Sequence, residues 1–133
     1  MRRLAQIIGL MVMAGAAATQ PASGGPLMVF FDWGTGEIRS DDEATLDKVA
    51  ETLRARPSAR VTLTGHTDRS GSVSVNRAAG LKRATTVRTE LEKRGIPLGA
   101  IRISSSGEER PLVPTEDGVR EVQNRRVGIL IIG

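Results

Sequence analysis

Hydrophobic and polar residues follow one another along this chain with two different periods, and each period predicts a different element. Residues 27–31 form a compact apolar run that predicts a first, buried strand. Apolar and polar residues alternate from Arg60 to His66, which predicts a second strand. Residues 101–103 predict a third strand. Residues 127–132 predict a fourth, which is apolar on both sides and is therefore expected to be central or covered.

Two segments with the 3.6-residue period of an amphipathic helix lie between the first three strands. The apolar stripe of the first segment has the spacing i, i+3, i+4, i+7 and consists of Leu46, Val49, Ala50 and Leu53. Ser40 and Glu43 have the S-x-x-E spacing of a capping box at its start, and Pro57 closes it. The second segment runs from about Asn76 to Arg94. Its inward positions are Ala84, Val87 and Leu91.

The resulting order of elements is β-α-β-α-β-β, which predicts an α+β fold, a two-layer α/β sandwich. Its sheet is expected to mix parallel and antiparallel strands and to carry both helices on one face. Strands joined through a helix are expected to be parallel neighbours with right-handed crossovers. One domain over residues 27–133 accommodates all of these elements.

The segment before the first strand has a different composition. Met1-Arg2-Arg3 is a short basic stretch, an apolar run extends from Leu4 to Ala18, and Ala16-Ala17-Ala18 supplies a small-residue cleavage site. These features predict a secretory signal peptide over residues 1–18 and a Pro/Gly/Ser linker over residues 19–26. The alternative is an uncleaved anchor, although the run is shorter than the roughly 20 residues that span a bilayer. Contact with a membrane is expected only in that case.

Charge and composition exclude several classes of function. Removal of Arg2 and Arg3 with the signal peptide reduces nineteen basic residues to seventeen against fifteen acidic ones, a net charge of +2. Nucleic-acid binding is not expected, because no basic block with interleaved aromatic residues occurs. The absence of cysteine removes disulfides, thiol nucleophiles and lipid attachment at a cysteine. The one histidine, His66, and the nearby Asp68 are too few for a metal site, and a solvated or locally bonded histidine is expected. We therefore expect no metal, no cofactor and no enzymatic activity, a wall hydrolase included.

The loop between the second strand and the second helix carries the most informative side chains. Asp68 places a carboxylate in this loop, and Arg83 places a guanidinium fifteen positions later on the helix. Such a pair suits a zwitterionic ligand, because the carboxylate can face an ammonium group and the guanidinium can bind a carboxylate through two N–H groups. Asn76 lies on nearly the same helix face as Arg83, and Gly71 is expected to let main-chain amides turn towards an anion. Two simpler interpretations remain open: Asp68 and Arg83 form an ordinary ion pair, or Asp68 caps the helix.

A longer series of motifs surrounds these residues. The run Gly65-His66-Thr67-Asp68-Arg69-Ser70-Gly71 is followed in order by Asn76, Arg83, Gly107-Glu108, Pro111 and Asn124-Arg125-Arg126-Val127. This series resembles the signature of the OmpA-like domain family. That family includes the C-terminal domain of outer-membrane protein A, peptidoglycan-associated lipoprotein and flagellar motor stator proteins. The resemblance implies a mixed sheet with its helices on one side.

The resemblance also implies a function. It implies non-covalent, non-catalytic binding of peptidoglycan through the diaminopimelate of the stem peptide. The setting would be the periplasm or cell envelope of a Gram-negative bacterium, with any outer-membrane association made through a partner. In this scheme Asp68 would accept from the ammonium group of diaminopimelate and Arg83 would clamp its terminal carboxylate. Asn76 and the main chain from Thr67 to Gly71 would complete the ligand cradle.

The chain departs from the family at one place in this series. Ala79-Gly80 occupies the position where the family has Leu-Ser, so a leucine that would pack against the site is missing unless Leu81 replaces it. Gly80 is also expected to weaken the helix by about 1 kcal/mol relative to alanine. An alternative function therefore stays open, in which an OmpA-like scaffold with a degenerate ligand site serves as an interaction module or subunit for other envelope proteins. Structural roles are expected for Arg125 and Arg126, through carboxylates or loop carbonyls.

Overall fold

Four strands and two long helices form the part of the chain that the computed structural model describes, residues 27–133. In chain order they are β1 (Leu27–Phe30), α1 (Glu43–Ala55), β2 (Arg60–His66), α2 (Val73–Lys93), β3 (Ile101–Gly107) and β4 (Arg126–Ile132). The predicted order of elements is confirmed. The predicted signal peptide (1–18) and linker (19–26) lie outside the described residues. Within residues 27–133, neither helix is both long and apolar enough to cross a lipid bilayer.

The strands form one mixed sheet in the order β1-β4-β2-β3. β2 and β3 are parallel, and β4 is antiparallel to both of its neighbours, β1 and β2. The prediction that β4 is central is therefore confirmed. The prediction that β1 and β2 are neighbours is wrong, because β4 inserts between these two strands. Insertion places the most apolar strand between two partners and leaves the four-residue β1 at an edge.

The core lies between the sheet and the two helices. Its buried residues include the inward positions of β1, β2 and β4 and the predicted apolar stripes of both helices, namely Val29, Val61, Leu63, Val127 and Ile129 with Leu46, Val49, Ala50, Leu53, Ala84, Val87 and Leu91. The outward side chains of β4 behave differently, because Leu130 and Ile132 are exposed. The apolar residues on both sides of β4 therefore correctly predicted a central strand. They did not mean that a second layer covers the outer face of the sheet.

Both helices begin at a different residue from the one predicted. α1 starts at Glu43, and its N-cap residue Asp42 makes no side-chain capping bond. The Asp42 carboxylate instead accepts from the main-chain N–H of Phe30 at 2.9 Å. The predicted capping box is wrong, because the Glu43 carboxylate pairs with an arginine at the end of α2. α2 starts at Val73, three residues before the predicted position. Its N-cap is Ser72, whose hydroxyl accepts from a main-chain N–H in the first turn and so stabilises the helix start.

Two glycines bring α2 into close contact with β2. A Cβ atom on Gly80 would lie 3.0 Å from the main-chain oxygen of Gly65 and would overlap the Ser105 hydroxyl. A Cβ atom on Gly65 would in turn overlap the main-chain oxygen of Gly80. The glycine at position 80 therefore allows a helix–strand approach that a larger residue would prevent. This packing fixes the part of α2 that carries Asn76 and Arg83 against the end of β2.

Candidate functional site

The predicted site residues gather where β2 ends and α2 begins. The pairing of β2 with β3 shifts by a bulge at Gly65 and His66, after which the Thr67 N–H bonds to the Gly107 oxygen at 2.8 Å. Thr67, Asp68, Asn76 and Arg83 are all buried. Arg83 reaches the same place from the third turn of α2, and its Nη1 donates to the main-chain oxygen of His66 at 3.0 Å. The structure thus brings the predicted residues into one cluster.

Asp68 is the anionic centre of this cluster and is only 2% exposed. Its Oδ1 accepts from the Ser70 N–H at 3.1 Å and the Ser70 hydroxyl at 2.5 Å. Its Oδ2 accepts from the Glu121 N–H at 3.1 Å and from Nη1 of Arg125 at 2.6 Å. Burial by itself would raise the pKa of Asp68, but the bonds from Ser70, Glu121 and Arg125 outweigh it and hold this pKa below its usual value. Asp68 is therefore ionised at neutral pH.

Asp68 neither forms an ion pair with Arg83 nor caps α2, so both simpler interpretations are wrong. The guanidinium paired with Asp68 belongs to Arg125, 57 residues away in the sequence, and not to Arg83. The cap of α2 is Ser72. The expected structural role of Arg125 is confirmed, because its Nε also donates to the Phe31 oxygen at 3.1 Å.

Arg126 points away from this cluster. Its Nη2 donates to the main-chain oxygen of Arg110 at 3.2 Å, which confirms a role at a loop carbonyl.

Arg83 is a buried cation with few partners, and its side chain is 8% exposed. Among residues 27–133 it makes one hydrogen bond, to the His66 oxygen, and no salt bridge to a carboxylate. Its guanidinium carbon lies 5.5 Å from the centre of the Phe31 ring. Burial lowers the pKa of Arg83, the nearby Arg125 lowers it further, and Asp68 partly opposes both effects. A guanidinium in this position retains N–H donors for a carboxylate from outside the protein.

A small cavity of about 210 Å³ lies beside Arg83. The loop after β1 and one face of α2 line it with Gly34, Thr35, Gly36, Ala79, Lys82 and Arg83. Ala79 leaves room in this cavity that a leucine would fill. Leu81 does not replace the missing leucine, because it is 44% exposed. A wider groove of about 480 Å³ near Arg60 and Arg102 is remote from the cluster of buried charges.

Asn76 and Gly71 hold the loop in shape. The Asn76 amide donates to the main-chain oxygens of Asp68 and Gly71, each at 3.2 Å, and to the Glu108 carboxylate at 2.8 Å. Gly71 is absent from the glycines with positive φ among the described residues, so the main chain there does not adopt a conformation reserved for glycine. Glycine is needed at this position because there is no room for a side chain: a Cβ atom there would lie 2.9 Å from the Asn76 side-chain oxygen. Direct contact of Thr67, Gly71 or Asn76 with a ligand stays a prediction.

His66 differs from its expected solvated or locally bonded state. It is 7% exposed, and its Nδ1 is buried without a hydrogen-bond partner among residues 27–133. Burial, followed by the positive charges of Arg126 and Arg110, lowers the pKa of His66 from 6.5 to about 4. His66 is thus neutral at pH 7. Within the same range of residues, no group of three or more His, Cys, Asp or Glu side chains is arranged to hold a metal ion.

Two neighbours of the cluster, Lys82 and Trp33, were not among the site residues predicted from the sequence. Lys82 lines the cavity directly beside Arg83 and makes it more positive, a relation that could have been inferred from adjacency on α2. Trp33 lies in the loop after β1, and its ring N–H donates to the Ser70 hydroxyl at 3.2 Å. No sequence period connects this loop to Asp68, so nothing in the pattern indicated that contact.

Comparison with known proteins agrees with this architecture. The chain is 36% identical over 125 residues to a peptidoglycan-associated lipoprotein of Rhizobium meliloti, covering 90% of this chain and 70% of that protein. A peptidoglycan-associated lipoprotein of Brucella melitensis is 35% identical, with 90% and 74% covered.

Two solved structures are also similar. The crystal structure of the peptidoglycan-associated lipoprotein from Burkholderia pseudomallei matches with a TM-score of 0.74 at 30% identity, covering 79% of this chain and 89% of that one. The C-terminal domain of Helicobacter pylori MotB shares the fold, with a TM-score of 0.70 at 20% identity and coverage of 84% and 86%. The OmpA family profile matches residues 30–125. This chain therefore belongs to the OmpA family.

Proposed function

We propose that this protein binds peptidoglycan non-covalently in the Gram-negative cell envelope, through the diaminopimelate of the stem peptide and without catalysing a reaction. Membership of the OmpA family and the names of the relatives, peptidoglycan-associated lipoproteins, support the general part of this proposal. One observation carries the specific part. Arg83 is a buried guanidinium beside a cavity and has no carboxylate partner among the described residues.

The chemistry of diaminopimelate fits this arrangement. Diaminopimelate is lysine with an additional carboxylate on its ε-carbon, so its free end carries both an ammonium and a carboxylate group. Burying a cation costs free energy that a well-placed anion can offset. Arg83 can offer two parallel N–H groups to the carboxylate, and Lys82 adds a second positive charge at the same cavity.

The ammonium group requires an acceptor at Asp68. All four donors now bound to this carboxylate come from the protein, and the Ser70 hydroxyl is the one that can rotate away. A charged donor forms a stronger hydrogen bond than a neutral hydroxyl does. We therefore infer that the ligand ammonium displaces the Ser70 hydroxyl from Oδ1 while Arg125 keeps Oδ2. Asp68 would then bind the ligand without losing its internal partner.

The alternative function, an interaction module with a degenerate site, rested on Ala79-Gly80. In the structure Gly80 permits the close contact of α2 with β2, and Ala79 lines the cavity beside Arg83. Both residues thus fit an intact site.

Co-sedimentation with purified sacculi tests the proposal. Wild-type protein is mixed with sacculi of the diaminopimelate type and of the lysine type, beside Asp68→Ala, Arg83→Ala and Arg83→Glu proteins whose folding is checked by circular dichroism. Arg102→Ala removes an exposed arginine far from the cavity and serves as the matched control. We expect wild type and the control to pellet with diaminopimelate sacculi only, and the site variants to stay in solution.

Four results would count against the proposal. If wild type pelleted equally with both types of sacculi, diaminopimelate would not be the group that the protein recognises. The same conclusion would follow if folded Arg83→Glu protein pelleted with either type. Release of soluble muropeptides would contradict a purely binding role. A folded wild type that ignores both types of sacculi would direct attention to protein partners in the envelope.

A further inference from the structure

Trp33 and Arg120 form a stacked pair on the surface beside the proposed site. The guanidinium carbon of Arg120 lies 3.5 Å from the centre of the Trp33 ring. Trp33 is 51% exposed, and Arg120 is exposed as well. A guanidinium held flat on an indole ring is restricted in orientation yet keeps its N–H groups free at the edges. The pair is therefore a planar cation that is already oriented.

Two short connections join this pair to Asp68. On the Trp33 side, the ring N–H donates to the Ser70 hydroxyl at 3.2 Å, and that hydroxyl donates to Oδ1 of Asp68 at 2.5 Å. On the Arg120 side, the next residue, Glu121, donates its main-chain N–H to Oδ2 at 3.1 Å. Trp33 also directly precedes Gly34, which lines the cavity beside Arg83. The stacked pair is thus next to the place proposed for diaminopimelate.

Arg120 has unused binding capacity. Its side chain makes neither a hydrogen bond nor a salt bridge to another residue in the range 27–133. The neighbouring acidic side chains have other partners: Asp32 pairs with Arg39, Asp117 with Arg69, and the Glu121 carboxylate accepts from the Gln123 N–H. A cation that is oriented by stacking and not neutralised by a neighbour is suited to an external carboxylate.

We propose that Trp33 and Arg120 form a second subsite that binds a carboxylate of the stem peptide next to diaminopimelate. This inference rests on the proposed function. In the stem peptide, the residue before diaminopimelate is a glutamate linked through its side-chain carboxyl group, so its α-carboxylate is free. Arg120 binds this group, while Trp33 holds the guanidinium in place. Amidation of the glutamate removes the charge, so the subsite distinguishes amidated from unamidated peptidoglycan.

Calorimetric titration with three synthetic probes tests the subsite. The probes are free meso-diaminopimelate, the tripeptide L-Ala-γ-D-Glu-meso-diaminopimelate, and the same tripeptide with D-isoglutamine at the second position. We expect wild type to bind the acidic tripeptide about three- to tenfold more tightly than the amide, as an exposed to partly buried charge pair allows. Arg120→Gln should bind both tripeptides equally, and Trp33→Ala should reduce the preference.

The controls separate this inference from the proposed function. Affinity for free meso-diaminopimelate should be unchanged in Arg120→Gln, and Arg102→Gln should behave as wild type with all three probes. A wild type that binds both tripeptides equally, or an Arg120→Gln protein that still prefers the acid, would overturn the subsite while leaving diaminopimelate binding in place. A wild type that binds none of the probes would overturn the proposed function and the subsite together.

Discussion

Replacement of His66 should change how the stability of the domain depends on pH. In the folded protein, burial and the charges of Arg126 and Arg110 lower the pKa of His66 from 6.5 to about 4. In the unfolded chain the imidazole has its ordinary pKa. As the pH falls through 6.5, the imidazole therefore binds a proton in the unfolded state but stays neutral in the folded state. The free energy of unfolding decreases as a result. The loss ends near pH 4, where the folded state is protonated as well.

The size of this effect follows from the two pKa values. One unit of pKa corresponds to about 1.4 kcal/mol, so a decrease from 6.5 to about 4 corresponds to about 3 kcal/mol in full. Between pH 7 and pH 4.5 most of this amount is lost, about 2–3 kcal/mol. Asp68 contributes in a different range, because its folded pKa lies below its usual value and its contribution disappears only in more acidic solution. Between pH 6.5 and pH 4, the change in the free energy of unfolding therefore comes mainly from His66.

Urea unfolding at pH 7 and pH 4.5 measures the difference, with His66→Gln as the comparison. Glutamine cannot be protonated, so wild type should lose about 2–3 kcal/mol more than the variant between the two pH values. The dependence of the unfolding free energy on urea concentration should stay the same, which verifies that both proteins unfold from similar states. Equal losses in both proteins would refute the reasoning, because they would show that His66 is not kept neutral by burial.

Two further predictions concern packing and the buried ion pair. Gly80→Ala should lower the free energy of unfolding by about 1–3 kcal/mol because its Cβ would overlap the Ser105 hydroxyl, even though alanine favours helix. Gly99→Ala has open space around it and should change stability by no more than about 0.5 kcal/mol; a similar loss in both variants would contradict the packing argument. Arg125→Ala should cost about 3 kcal/mol in urea unfolding, because it leaves Asp68 buried without a cation, and a loss under about 1 kcal/mol would refute that role.

The local periods of the sequence predicted the helices and strands well. They did not predict which distant strands pair with one another. Alternation over Arg60–His66 and the helical stripe of α1 both correspond to buried faces, because each pattern depends on nearby residues alone. The insertion of β4 between β1 and β2 depends on which distant strands pair, and the order of elements does not determine that. The Ser40–Glu43 spacing failed for a related reason, because Glu43 binds Arg94 at 2.6 Å, 51 residues away.

At the site, too, the motifs identified individual residues but not their contacts with distant parts of the chain. The motif series identified Asp68 and Arg83, and the structure brings both to one end of β2. It could not show that Arg125 is the partner of Asp68, because the two residues are 57 positions apart. Trp33 and Arg120 lie in loops without periodicity, so only the folded chain reveals that they stack.

The most direct test of the central claim uses two small ligands that differ by one carboxylate. Calorimetric titration compares meso-diaminopimelate with lysine, which lacks the carboxylate proposed to bind Arg83. We predict binding of diaminopimelate to wild type, much weaker binding of lysine, and loss of the difference in a folded Arg83→Gln protein. Equal binding of the two ligands by wild type, or an undiminished preference in Arg83→Gln, would contradict the claim that Arg83 selects diaminopimelate.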